Sequence, residues 1–123
     1  MRSLSLVRPV LLSCLLALTA CSSDTTAPRG PAAFVSIRNF YFYPFIVSVR
    51  VGASVQWTNY DPVSHTATSD AEFWDSGPLT PAVRLAGGSF QFTFTQPGTY
   101  GYHCSIHPPS LYPDFVGIVE VRP

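Results

Sequence analysis

Residues 99–108 read TYGYHCSIHP, and this stretch decides how the rest of the chain can be interpreted. It places the thiol of Cys104 three residues before the imidazole of His107, directly after a strand-like alternation of side chains. A second imidazole, His65, lies 39 residues before the thiol, in a predicted loop. A thiolate with two imidazoles is the ligand set of a trigonal copper site used for electron transfer. We therefore expect a fold that brings these two distant parts of the chain together.

The segments around this stretch have the pattern of a β-protein. Phe90, Phe92 and Phe94 alternate with polar residues, and a Gln-Pro-Gly turn follows, so residues 89–104 are predicted to form a hairpin. Short β-branched and aromatic runs predict further strands at residues 33–39, 46–51, 53–60 and 115–122. Twelve prolines and eight glycines punctuate the chain. The pattern indicates a sandwich or barrel of short strands.

The first 20 residues have the features of an export signal. Arg2 and Arg8 accompany an apolar run at residues 10–20, which is too short to span a bilayer. The run ends in Leu-Thr-Ala-Cys, which resembles the lipobox of bacterial lipoproteins. This resemblance implies cleavage before Cys21 and lipidation of its thiol and new amino group. An ordinary secreted protein cut near Ala20 is the alternative.

The export signal and the predicted cleavage before Cys21 divide the chain into three segments. Residues 1–20 are predicted to be a signal peptide, and residues 21–32 a lipidated, flexible tether rich in small and polar residues. Residues 33–123 are predicted to form one domain. The expected product is a membrane-anchored lipoprotein on the periplasmic or cell-surface side.

Charge and cysteine usage narrow the class of protein. Residues 21–123 carry five arginines against seven acidic residues, and no lysine, so no basic patch for nucleic acid is expected. After processing, Cys104 is the only free thiol, which excludes an internal disulfide. Outside the cytoplasm such a thiol needs burial or a metal, and the nearby histidine favours metal over a plain core cysteine.

Three segments together resemble one family. They are residues 55–61 (VQWTNYD) with His65 and Thr66 after them, residues 94–108 (FTQPGTYGYHCSIHP) and residues 116–121 (VGIVEV). In these motifs the chain is similar to the cupredoxins, and more specifically to the small plastocyanin- and amicyanin-like blue copper proteins of bacteria. The resemblance covers almost the whole predicted domain. It implies a cupredoxin-like Greek-key β-sandwich of about seven to eight strands.

The resemblance also implies a metal site. His65, Cys104 and His107 match the copper ligands of the family, so one copper ion per chain, cycling between Cu(I) and Cu(II), is expected. His103 precedes the thiol on a strand, so its side chain is predicted to point away and not to bind metal. The family has a methionine a few residues after the second histidine. Here the loop is longer, and Phe115 aligns with that axial position.

Three arrangements of the axial position remain open in the sequence. Because Phe115 has no lone pair for copper, the site is expected to be three-coordinate. A backbone carbonyl such as that of Ser64 is a second arrangement, and a fold of the loop that brings in Asp114 or Tyr112 is a third. An apolar three-coordinate site predicts a higher reduction potential than a methionine-ligated one.

The expected function is one-electron transfer by a protein that is not an enzyme. The partners expected are redox proteins of the cytochrome or oxidase class, which would contact an apolar patch around His107. The membrane is expected as a second partner through the lipid on Cys21, and the protein is expected to be a monomer. One alternative is a periplasmic copper carrier or storage protein without redox duty. A catalytic copper enzyme lacks sufficient histidines here, and a metal-free adhesion sandwich is the last alternative.

Overall fold

Alternating apolar side chains build two four-stranded sheets in residues 30–123, the part of the chain that this computed structural model describes. The signal peptide predicted for residues 1–20, the lipidation of Cys21 and most of the tether at residues 21–32 lie outside the described residues. No helix with the length and apolarity needed to cross a membrane occurs in the described part.

Eight strands make up the two sheets. They are β1 (Ala33–Arg38), β2 (Tyr41–Tyr43), β3 (Ile46–Arg50), β4 (Ser54–Asn59), β5 (Thr68–Ser69), β6 (Ser89–Thr93), β7 (Gly98–His103) and β8 (Val116–Arg122). The first sheet has the order β2-β1-β4-β6 and the second has the order β3-β8-β7-β5. The pairs β1–β4 and β3–β8 are parallel, and the others are antiparallel. The predicted all-β sandwich and its number of strands are confirmed.

The core lies between the sheets and is filled by every second residue of the strands, as the alternation predicts. Val35 and Ile37 of β1 face inward, and so does Trp57 of β4, all of them essentially inaccessible to solvent. The Trp57 ring meets Tyr102 of β7 edge to face, with 5.4 Å between ring centroids. These large aromatic side chains join the two sheets beside β7, the strand that ends one residue before Cys104.

The hairpin predicted for residues 89–104 is wrong. The strands β6 and β7 both exist, but β6 pairs with β4 while β7 pairs with β8 and β5 in the other sheet. Phe94 explains the crossing, because its N–H donates to the carbonyl of Ala53 and its carbonyl accepts from Gly52. These bonds hold the end of β6 against the first sheet, and the turn after Phe94 then carries the chain across to the second.

The directions of the strands bring the loops of His65 and Cys104 to the same end of the sandwich. β4 and β7 both end there, and β8 begins there, since His103 pairs with Val116 at the start of β8. The β1–β2 turn lies at the same end, because β1 runs parallel to β4. The loops that carry His65 and Cys104 therefore leave the two sheets side by side.

Candidate metal centre

Three donor atoms from two loops meet at this end of the sandwich. Sγ of Cys104 lies 3.6 Å from Nδ1 of His107 and 3.9 Å from Nδ1 of His65, and the two Nδ1 atoms are 3.1 Å apart. Within residues 30–123, these are the only histidine, cysteine and acidic side chains that come together as a group of three potential metal ligands. The thiol and the first imidazole are fully buried, whereas His107 is half-buried.

The His65 loop is held by a network around the buried Asn59. Its side-chain amide donates to the carbonyl oxygens of Val63 and Thr80, and its Oδ1 accepts from the N–H of Asp61. The backbone of His65 also pairs with Leu79 in an isolated bridge. These hydrogen bonds fix the path of the chain between β4 and His65.

Thr66 connects the two ligand loops. Its backbone N–H donates to Sγ of Cys104 at 3.3 Å, and its Oγ1 accepts from the N–H of Ser105 at 2.8 Å. The same residue thus fixes the position of the Cys104 sulfur relative to the loop that carries His65.

A carboxylate lies on the far side of the first imidazole. Nε2 of His65 is 2.9 Å from Oδ2 of Asp61, a buried residue four positions earlier. Burial alone would raise the pKa of the Asp61 carboxyl, but the N–H groups of Phe40 and Asn39 and the His65 ring hold it below its usual range. Burial lowers the pKa of His65 despite this carboxylate. The lowered pKa favours the neutral ring, and the carboxylate at Nε2 favours the tautomer with its proton on Nε2 and a lone pair on Nδ1.

Aromatic rings enclose the other sides of the two imidazoles. Phe115 is fully buried and meets His65 edge to face, with ring centroids 4.9 Å apart. Phe40 meets His65 at 5.0 Å and His107 at 4.9 Å, again edge to face, and it stacks on Tyr112 at 5.1 Å. The donors consequently sit in an apolar enclosure that excludes water from most directions.

The other side chains considered for the site lie elsewhere. Asp114 is exposed and does not belong to the group of three donors. Tyr112 uses its ring to stack on Phe40. His103 points away from the donors and pairs with Asp70, with Nδ1 and Oδ1 2.6 Å apart. The expected non-ligand role of His103 agrees with this placement.

Comparison with known proteins identifies the family to which the chain is similar. Residues 32–121 match the model of copper binding proteins of the plastocyanin/azurin family. The match covers both sheets and all three donor side chains.

The chain belongs to this family.

Individual relatives agree with the family match. The cupredoxin is 33% identical over 60 residues to amicyanin of Paracoccus denitrificans, covering 49% of this chain but only 46% of that protein. It is 30% identical over 99 residues to amicyanin-alpha of Methylorubrum extorquens, covering 76% and 77% of the two chains. Among solved structures, a novel purple cupredoxin from Nitrosopumilus maritimus is similar with a TM-score of 0.60 and 30% identity, over 73% of this chain and 99% of that one.

The donor set of this cupredoxin fits the metal of its family. One soft sulfur and two imidazole nitrogens are the combination that suits copper in both of its oxidation states. The hydrogen bonds at the second nitrogen of His65 and at Sγ of Cys104 are the outer contacts that such a site needs. The cofactor is copper, with one ion per chain.

Two residues of the site were not found from the sequence. Asp61 lies four residues before His65, and this spacing was a usable signal. No local pattern in the sequence indicated that the ring of Phe40 reaches both imidazoles. Its position depends on a left-handed turn whose φ angles are 52° at Asn39 and 63° at Phe40. Asparagine tolerates that conformation, but phenylalanine rarely adopts it.

Proposed function

We propose that this protein is an extracytoplasmic type 1 copper protein that carries single electrons between redox partners, with copper held by His65, Cys104 and His107. The observation that carries the proposal is the convergence of their three donor atoms, with both Nδ1 atoms within 3.9 Å of Sγ. When bound, copper supplies one-electron exchange between Cu(I) and Cu(II). Membership of a copper-binding family supports this assignment.

The protein's own contribution is a rigid and dry set of donors. His65 and Cys104 are fully buried, and Thr66 links their loops through both its backbone and its hydroxyl. Packed rings on either side leave the imidazoles little freedom to turn. A donor set that keeps one geometry in both oxidation states needs little rearrangement when an electron moves, which favours fast transfer.

The proposal includes Phe115 in the axial position in place of methionine. The buried Phe115 ring packs against His65 and also against Phe42, with 4.7 Å between the latter centroids. This packing supports a site with three coordinating side chains and an apolar axial side. Asp114 is exposed and Tyr112 stacks on Phe40, so neither contact supports a fold of the loop that brings one of these side chains to the copper. The carbonyl of Ser64 remains the alternative weak donor.

The proposed docking surface is the apolar rim of the half-buried His107. Ile106 and Leu111 are exposed apolar side chains near it in sequence, with 74% of Leu111 accessible. Tyr112 meets the His107 ring edge to face at 5.2 Å and is also exposed. Small apolar surfaces of this kind suit brief contacts between redox proteins. The proposed partners are of the cytochrome or oxidase class.

The proposal also keeps the protein outside the cytoplasm, anchored through lipid on Cys21. The lipobox-like end of the export signal is its sequence basis. The direction of β1 supports it, because Ala33 begins this strand at the end of the sandwich opposite the donors. An anchor that precedes β1 would therefore leave the His107 surface accessible to partners.

Electron exchange tests the proposal against the carrier or storage alternative. The copper-loaded protein is mixed with a reduced c-type cytochrome in a stopped-flow spectrometer, and copper is then assayed in the recovered protein. We expect reversible oxidation of the cytochrome with copper retained. Protein loaded with zinc, which has no redox chemistry, is the control. Transfer of copper to an acceptor without electron exchange would contradict the proposal and favour the alternative.

A further inference from the structure

Asp61 connects three segments at the metal end of the molecule. Its carboxylate accepts the N–H of Asn39 on Oδ1 at 2.6 Å and the N–H of Phe40 on Oδ2 at 3.0 Å. The same Oδ2 lies 2.9 Å from Nε2 of His65, and the carbonyl of Asp61 accepts from Ala82 at 2.7 Å. Only 5% of the residue is accessible to solvent, so these bonds are not in competition with water.

The contact between Asp61 and His65 determines which ring nitrogen keeps a lone pair for binding a metal. A carboxylate at Nε2 keeps the proton of the neutral ring on that atom and leaves the lone pair on Nδ1, which faces Cys104 and His107. The negative charge also makes the imidazole a stronger donor, and a stronger nitrogen donor favours Cu(II) over Cu(I). The carboxylate therefore favours Cu(II), whereas the apolar side formed by Phe115 favours Cu(I).

The contacts with the β1–β2 turn explain an unusual backbone. Asn39 and Phe40 both have left-handed φ angles, which asparagine tolerates and phenylalanine rarely adopts. Two N–H groups pointing at one buried carboxylate hold that conformation. The conformation in turn brings the Phe40 ring against His65 and His107. One carboxylate therefore holds both an imidazole and the ring that covers it.

We propose that Asp61 is the positioning residue of the copper site, orienting His65 through Nε2 and closing the Asn39–Phe40 turn over the two imidazoles. The proposal rests on the copper site of the proposed function. It assigns no contact between Asp61 and the metal. Its effect on copper passes through His65 and through the enclosure that Phe40 completes.

The test compares two substitutions of the same kind. Asp61→Asn removes the charge and one of the two accepting oxygens while keeping the size of the side chain. Asp70→Asn is the matched control, because Asp70 also pairs with a histidine, His103, but one that lies outside the donor group. Each copper-loaded protein is examined by competition with a chelator, by voltammetry and by EPR, and each apoprotein by NMR.

We expect Asp61→Asn to bind Cu(II) about 10- to 100-fold more weakly and to have a raised reduction potential and an altered copper hyperfine splitting. In its apoprotein, the amide proton signals of Asn39 and Phe40 should move upfield as their bonds to the carboxylate weaken. Asp70→Asn should match the wild type in all of these. A purely structural effect of Asp61→Asn would lower the folded fraction without changing the potential of the protein that remains folded.

Two other results would overturn the proposal. One is an Asp61→Asn protein with wild-type affinity, potential and EPR spectrum, which would leave the proposed function intact. A wild-type chain that refuses copper would instead remove the proposed function as well, so the two failures can be told apart. If Asp61→Asn does not fold, nitrogen shifts of the wild-type apoprotein decide: a proton on Nε2 of His65 supports the proposal, and a proton on Nδ1 overturns it.

Discussion

Phe115 is the single residue with the strongest expected effect on the electronic character of the site. In the proposed site it fills the side where a methionine would offer a weak sulfur donor, and its buried ring packs against the rings of Phe42 and His65. Losing a weak donor disfavours Cu(II), which prefers more ligands than Cu(I) does. The protein is therefore expected to be a comparatively strong oxidant among cupredoxins of similar fold.

Phe115→Met should lower the reduction potential. The thioether adds a weak donor that stabilises Cu(II), and its flexible chain can fill the space of the ring. Voltammetry of the copper-loaded wild type and variant measures the shift. Phe115→Leu is the control, since leucine is equally apolar and has no donor atom. A Phe115→Met potential that is unchanged or raised would show that the axial side is not occupied by this residue.

Single residues also mark the limit of what the sequence predicts. The spacing of Cys104 and His107 and the family resemblance indicated the three donor side chains, and the structure brings them together. Asp61 and Phe40 escaped prediction because their roles come from a turn in another part of the chain. Local patterns record which residues alternate, but they do not record which distant N–H group a carboxylate will accept.

The existence of the strands could be predicted from the sequence, but their pairing could not. In β1 and β8, the buried residues are those that the alternation places on one face. The pairing of β6 and β7 did not follow, because alternation predicts that a strand exists without saying which strand lies beside it. A short turn between two such strands suggests a hairpin, yet in a sandwich the same turn can lead from one sheet to the other.

The strand β8 offers a test of the packing between elements. Gly117 faces the ring of Tyr102, and a Cβ added there would collide with the ring atoms. Because Tyr102 is fully buried between the sheets, its ring has little room to move away. Gly117→Ala should therefore lower the free energy of unfolding by about 1–3 kcal/mol.

Chemical denaturation of the apoprotein, followed by tryptophan fluorescence, measures this loss. Gly30→Ala is the control, because an added Cβ there meets no atom within 4 Å. Equal stability of Gly117→Ala and the wild type would mean that Tyr102 has more freedom than its burial indicates.

For the molecule as a whole, the proposed function assigns different roles to the two ends of the sandwich. The donors and the exposed apolar residues Ile106 and Leu111 lie at or beside one end, while β1 begins and β8 finishes at the other. The formal charge of residues 21–123 is low, so we expect weak long-range steering and a proposed docking surface that depends on its apolar side chains. This separation fits the proposed carrier, which would be held at one end and would exchange electrons at the other.

Leu111→Glu should slow electron exchange with a partner without changing the copper site. The side chain is 74% accessible, so the charge adds no strain, but it must lose water when a partner covers it. Stopped-flow rates should fall several-fold while the visible spectrum stays the same. Val51→Glu is the control, since Val51 is exposed at the opposite end. Equal slowing by both variants would point to a general charge effect and away from this docking surface.

The central claim is that Cys104, His65 and His107 form one copper site, and the spectrum of the copper-loaded protein tests it most directly. Purified wild type and Cys104→Ala are titrated with Cu(II), and the optical and EPR spectra are recorded. We predict an intense visible absorption from a thiolate bound to Cu(II), with one copper per chain, and its complete loss in Cys104→Ala. A wild-type protein that stays colourless, or that gives the same spectrum without Cys104, would contradict the claim.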